Sequence, residues 1–161
     1  MHARITVPAI AALALATAVA TSAAAASKQR PRTTTIRTLQ LTTAFTPVDV
    51  DGNGKPSIGD VLVFRTVHLN PKTRARMGHG DAVCTQITTG RAPVYDCQGS
   101  DTFLGGEIRE AGSAAGAAGV RWAIIGGSGV YRGARGEYTA HFVDAKLTRA
   151  RTTFTILGVG E

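Results

Sequence analysis

From Thr33 onward the apolar positions recur every second residue rather than every third or fourth, which is the beat of half-buried strands. "TTTIRTLQLTTAF" is rich in β-branched residues and sets Leu39, Leu41, Thr43 and Phe45 on one side, with Pro47 as its expected end. In "DVLVFRTVHL" Leu62, Phe64, Thr66 and His68 alternate with Val61, Val63, Arg65 and Val67, so the start of this strand is apolar on both faces. "NPKTRARMGHG" reads as a turn-rich link. "DAVCTQITT", "VYDC", "DTFLGGEIRE", "VRWAII", "EYTAHFV" and "RTTFTILGV" then supply further short strands separated by glycine-rich corners. Gly105 and Gly106 predict a bend or bulge within one strand. "AGSAAGAAG" reads as a flexible hairpin connection, since its glycines oppose a helix, and "VYRGARG" as an irregular segment. About eight strands with almost no capped helical periodicity predict an all-β domain, either a closed antiparallel barrel or a sandwich.

The first residues follow a different pattern. A basic start at Met1 to Arg4, the apolar run "VPAIAALALATAVA" and the small-residue stretch after it predict a signal peptide over 1–26. That run is shorter than the roughly 20 apolar residues a membrane helix needs. The expected product is secreted and extracellular, with a polar leader over 27–32, a single domain over 33–161 and no membrane attachment after cleavage. The formal charge is +7. It is scattered among strands without a dense basic block, which argues against nucleic acid as a partner. Cys84 and Cys97 lie on successive strands, and export makes a structural disulfide between them the expected state.

The loop "DVDGNGKPSIGD", 49–60, has two readings. One is a polar hairpin loop whose Asp, Asn and Gly residues satisfy their own backbones. The other is a calcium cradle, with Asp49, Asp51 and Asn53 as the first donors, Lys55 through its carbonyl, Ser57 through water and Asp60 closing the site. Pro56 at the eighth position, Asp60 rather than Glu at the twelfth and strands on both flanks speak for the hairpin loop. His68, His79 and His141 contain no close pair, so spacing alone builds no metal site. Ser128 in "GGSGV" lacks the spacing of a nucleophile elbow.

The run "WAIIGGSGVYRGARGEYTA", Trp122 to Ala140, resembles the glycine-turn run of plant allene oxide cyclases and the "GGTGxFxxARG" run of dirigent proteins. Gly59 and Asp60 followed by "VLVF" resemble the "GDLVPF" strand of the cyclases. The resemblance extends in order from about Arg37 to Leu157. It implies an eight-stranded antiparallel β-barrel of the allene oxide cyclase and dirigent type, homo-oligomeric and often trimeric, with an apolar cavity and no bound cofactor. It also implies a small apolar or phenolic ligand whose cyclisation or coupling the cavity steers. Val63 stands where the cyclases carry Pro, and Thr66 near the position of their Asn, so cyclase activity does not carry over with the fold. The candidate catalytic residues are Arg135, whose guanidinium suits a carboxylate or phenolate, the phenol Tyr131, and Asp60 at a strand start. Phe64, Thr66 and Tyr138 are the candidate ligand-binding residues, and Glu107 is a further carboxylate able to face the cavity. The rival readings are a non-catalytic structural or carrier barrel and a calcium-stabilised extracellular module using the 49–60 loop.

Overall fold

The computed structural model describes residues 32–116, 119–144 and 146–158. The expected signal peptide over 1–26 lies outside the described residues, as does the leader over 27–32 apart from Arg32. Eight strands follow one another: β1 (Thr33–Val48), β2 (Val61–Leu69), β3 (Arg76–Gln86), β4 (Val94–Phe103), β5 (Gly106–Ala115), β6 (Val120–Gly127), β7 (Arg135–Phe142) and β8 (Arg149–Leu157). Each pairs antiparallel with the next, and β1 pairs with β8 from Thr33↔Leu157 to Leu41↔Arg149. The sheet therefore closes on itself as a barrel rather than splitting into a sandwich. Closure gives every strand a neighbour on both sides, with the end of β1 beyond Leu41 running on against β2 alone.

Alternation fills the inside. On β2, Thr66 and His68 are buried while Arg65 points to solvent, as the sequence pattern predicts. The first strand departs from expectation. Its inward side chains are Ile36, Thr38 and Gln40, not Leu39 and Leu41, since Gln40 pairs with His68, and a β-bulge between Thr42 and Ala44 then brings Phe45 onto the same face opposite Phe64. A bulge adds one residue to one strand and exchanges its faces. Beyond it Phe45 pairs with Phe64, their rings 5.1 Å apart, and Pro47 still pairs with Leu62, so the strand runs to Val48.

Three further segments differ from the sequence reading. Leu104 and Gly105 form the tight β4–β5 connection rather than a bulge, Gly106 opens β5 opposite Phe103, and β4 extends from "VYDC" through Phe103. Ala111 to Ala115 belong to β5 and pair with β4 as far as Val94↔Ala115, so this part of the alanine and glycine run is strand. Small side chains are needed there, because a Cβ at Gly112 would collide with the Trp122 indole. Arg76 and Met77 in the expected link already belong to β3. In the "GGSGVY" segment Gly129–Tyr131 form one 3-10 turn, and Gly129 sits at φ 59° against the backbone of Gly105, where no other residue fits.

One end of the barrel is closed by Phe103, Ile108, Ile124, Tyr131, Phe154 and Ile156, all buried. Phe103 and Phe154 meet edge to face at 5.2 Å, an arrangement aromatic rings favour. The strand termini Thr33 and Leu157 lie at this end. At the opposite end, where the 49–60 and 87–93 connections lie, Gly116 and Leu147 line a cavity.

Cys84 and Cys97 stand directly opposite in the β3–β4 register and form a disulfide, as expected, across a separation of 13 residues. Replacing both by Ala is expected to lower stability by about 3 kcal/mol through the freer unfolded chain. Urea unfolding of the double variant checks this.

Candidate functional site: a cavity with a carboxyl floor

The half of the barrel opposite the closed end encloses a cavity of about 210 Å³. Leu62, Phe64, Ala114, Val120, Trp122 and Phe142 contribute its apolar wall, supplied by the inward positions of β2, β5, β6 and β7. An apolar cavity of roughly 150 Å³ takes a benzene ring, so this one suits a compact one- or two-ring molecule. The Trp122 ring packs on Tyr138 at 5.5 Å, and its Nε1–H donates to the Ser113 carbonyl at 3.1 Å.

Polar groups collect at the inner end. Gln40, Thr66, Asp101, Glu110 and Tyr138 all reach the cavity. Asp101 on β4 and Glu110 on β5 are only 4% and 3% exposed. Each carboxyl occupies space that a glycine opens, since a Cβ at Gly80 would fall on Asp101 Oδ1 and one at Gly99 on Glu110 Oε1. His68, wholly buried beneath them, places Nε2 2.5 Å from Asp101 Oδ1 and Nδ1 2.8 Å from Thr38 Oγ1. Thr38 Oγ1 in turn lies 2.5 Å from Thr152 Oγ1. A chain of polar groups thus runs from β8 through β1 and β2 to the cavity floor.

Burial sets the protonation of this floor. Removal from water, then the charge of Asp101 and a hydrogen bond to it, push the Glu110 carboxyl up to about 10, so it is neutral at physiological pH. Burial, followed by the charges of Asp101 and Glu110, holds the Tyr138 phenol well above its usual range, against the opposing effect of Gln40. Tyr138 remains a donor and gives its proton to Gln40 Oε1 at 2.9 Å. Glu110 Oε2 is buried and receives no hydrogen bond from the protein among the described residues. A buried carboxyl oxygen left without a partner costs free energy that a bound polar group would restore.

Solved structures similar to this chain include a pyocyanin demethylase at 20% identity and TM-score 0.66, over 76% of this chain and 99% of that one. A pterocarpan synthase dirigent protein matches at 18% identity and TM-score 0.64, over 83% and 99%. An exo-specific intermolecular Diels–Alderase matches at 15% identity and TM-score 0.62, over 79% and 99%. The fold is the dirigent and allene oxide cyclase barrel. No family model and no curated protein sequence matches the chain.

Within this dirigent-type barrel the sequence candidates separate. Phe64, Thr66 and Tyr138 all line the cavity. Arg135, Tyr131 and Asp60 are not among the residues that line it, and they do not meet one another. Arg135 is exposed and donates to the carbonyls of Ile125 at 2.8 Å and Ala134 at 2.7 Å, which holds the glycine turn together. Tyr131 is buried in the closed end against Phe103, their centroids 6.5 Å apart, and burial raises its phenol. Asp60 accepts from the amides of Val50 at 3.0 Å and Ser57 at 2.8 Å at the root of its loop. Glu107 faces outward to Arg109 at 2.7 Å, an exposed pair of little energetic weight.

The 49–60 loop brings carboxylate oxygens of Asp49, Asp51 and Asp60 within 4.8 Å of one another. All six of their oxygens already accept bonds from the loop: Asp49 from Gly52 and Gly54, Asp51 from Asn53 and Ser57, Asp60 from Val50 and Ser57. Asn53 Oδ1 accepts from the amide of Lys55 at 2.7 Å. These bonds are those of a self-capping hairpin loop, and the chain leaves it directly into β2.

Sequence reasoning missed His68, Asp101, Glu110 and Gln40. The usable signal was phase. Asp101 shares a strand face with Phe103, and Glu110 with Ile108, so both acids fall on apolar faces.

Proposed function

We propose that the barrel takes one compact apolar or phenolic molecule into its interior and steers that molecule's cyclisation or coupling. The observation that carries this reading is the pairing of an apolar-walled chamber with a floor of convergent polar groups, one of them a carboxyl without a donor. The wall fixes the folded pose of the guest, which lowers the entropic part of a ring-closing barrier. Gln40 and Glu110 hydrogen-bond its polar end and stabilise charge that develops there. The similar structures include proteins named for a Diels–Alder reaction and for pterocarpan synthesis, which supports a small organic guest. The proposal includes export after loss of residues 1–26 and assembly as a homo-oligomer, for which the trimer is the expected form.

Trp122 is the only tryptophan in the chain and stands in the cavity wall, so its emission reports occupancy. Titration with a panel of one- and two-ring phenols and apolar dienes is expected to give saturable emission changes. The bound reactive members are expected to yield an altered stereoisomer ratio by chiral chromatography. Saturable binding with an unchanged ratio across the panel would leave only a carrier, and no emission change for any member would remove the ligand-binding reading as well.

A further inference from the structure

The cavity floor holds a base and an acid side by side, which is more than pose control requires. Asp101 Oδ1 lies 2.5 Å from His68 Nε2, and the Glu110 carboxyl is its other neighbour. Glu110 has no protein donor at Oε2. Gly80 and Gly99 open the space these two carboxyls need on adjoining strands. Tyr138 donates to Gln40 Oε1, which orients the Gln40 amide at the cavity, and its nitrogen has no partner among the described residues. Gln40, Asp101, Glu110 and Tyr138 all border the same chamber, whose other walls are mostly apolar. A carboxylate base beside a carboxylic acid kept neutral by apolar surroundings is an effective arrangement for drawing a proton from carbon.

We infer that the Asp101–Glu110 pair moves a proton between carbon atoms of a compact enolisable ketone, an activity that rests on the reading that the chamber holds a small organic molecule. The Asp101 carboxylate takes the proton from the carbon beside the carbonyl. The C–H bond breaks, its electron pair forms a carbon–carbon double bond, and the carbonyl π pair moves onto oxygen. As Asp101 becomes neutral, the Glu110 hydroxyl turns from it to that oxygen, which also accepts from the Gln40 amide. Collapse of the enolate returns the proton from Asp101 to the same carbon or, in a β,γ-unsaturated ketone, to the γ carbon, which gives the conjugated isomer. Atoms and electrons balance without a co-reactant. One negative charge passes from Asp101 to the ligand oxygen and back, so the number of buried charges stays constant through the step. His68 acts as a positioning residue that holds Asp101 toward the guest.

The test uses cyclohex-3-en-1-one in D₂O with the unaltered protein and with Asp101→Asn. Trp122 emission follows binding, ultraviolet absorbance follows the conjugated enone, and proton NMR follows deuterium uptake. The unaltered protein is expected to accelerate isomerisation saturably and to incorporate deuterium. Folded Asp101→Asn is expected to lose about 100-fold or more of that rate while still changing Trp122 emission. Binding without isomerisation above buffer overturns this inference and leaves the ligand-binding reading standing, and an undiminished rate in Asp101→Asn overturns it too. No emission change from this ketone or from any of a set of one- and two-ring ketones overturns both.

Discussion

Glu110→Gln is expected to stabilise the barrel by about 3 kcal/mol at pH 7 and to flatten its stability between pH 5 and 9. The Glu110 carboxyl rises from an ordinary value of 4.5 to about 10 on folding, chiefly through burial and then through the charge of Asp101. Below pH 4.5 both the folded and the unfolded chain hold this proton, and ionisation costs nothing. Between 4.5 and about 10 only the folded chain holds it, so stability falls by about 1.4 kcal/mol for each pH unit gained. Above about 10 the loss is complete. Other shifted groups act outside this window. Asp51, Asp144 and Glu107 are lowered by hydrogen bonds, led by Ser57, Thr148 and Arg109, and withdraw stability only as the pH drops through the carboxylate range. Tyr131 and Tyr138 are raised by burial and act only above pH 10. Gln keeps the shape and can still donate to Asp101, but it has no proton to lose. Urea midpoints measured at several pH values for both proteins check the prediction. A parallel pair of curves would show that Glu110 is not the buried acid described above.

His68→Leu is expected to cost about 3 kcal/mol, because it leaves the buried Asp101 carboxyl without the imidazole it bonds. The imidazole is fully buried between Phe103 at 5.1 Å and Phe154 at 5.7 Å, so Leu retains much of the packing. What disappears is the Nε2 contact to Asp101 and the Nδ1 contact to Thr38. The double variant His68→Leu/Asp101→Asn is expected to recover part of the loss, because a neutral amide is cheaper to bury than an unpaired carboxylate. Thermal unfolding at pH 7 of the two variants decides the point. A double variant no more stable than the single would show that lost packing, not the stranded charge, sets the penalty.

The fold was more legible in the chain than the site was. The two-residue beat gave the strand count, and β2 shows why it works: Leu62, Phe64, Thr66 and His68 face in together because nothing interrupts their pleat. The glycine-turn run correctly marked the closed-end connection, where Gly129 and Arg135 bind loop backbone. The same beat failed on β1, since a bulge leaves no signature in hydrophobicity and puts Phe45 on the face of Gln40 rather than on that of Leu39 and Leu41. It failed again at "AGSAA", where small residues suit a strand only because Trp122 lies against them. Asp101 and Glu110 escaped notice because acids on strands ordinarily face water. Their burial depends on room made by Gly80 and Gly99 on neighbouring strands, and no single strand records that relationship.

The pairing of β1 with β8 has a practical consequence. Thr33 and Leu157 sit side by side at the blocked end, opposite the half of the barrel that holds the cavity. A cargo or an immobilising tether joined directly before Thr33 or after Leu157 would start from the base, away from the residues that line the cavity.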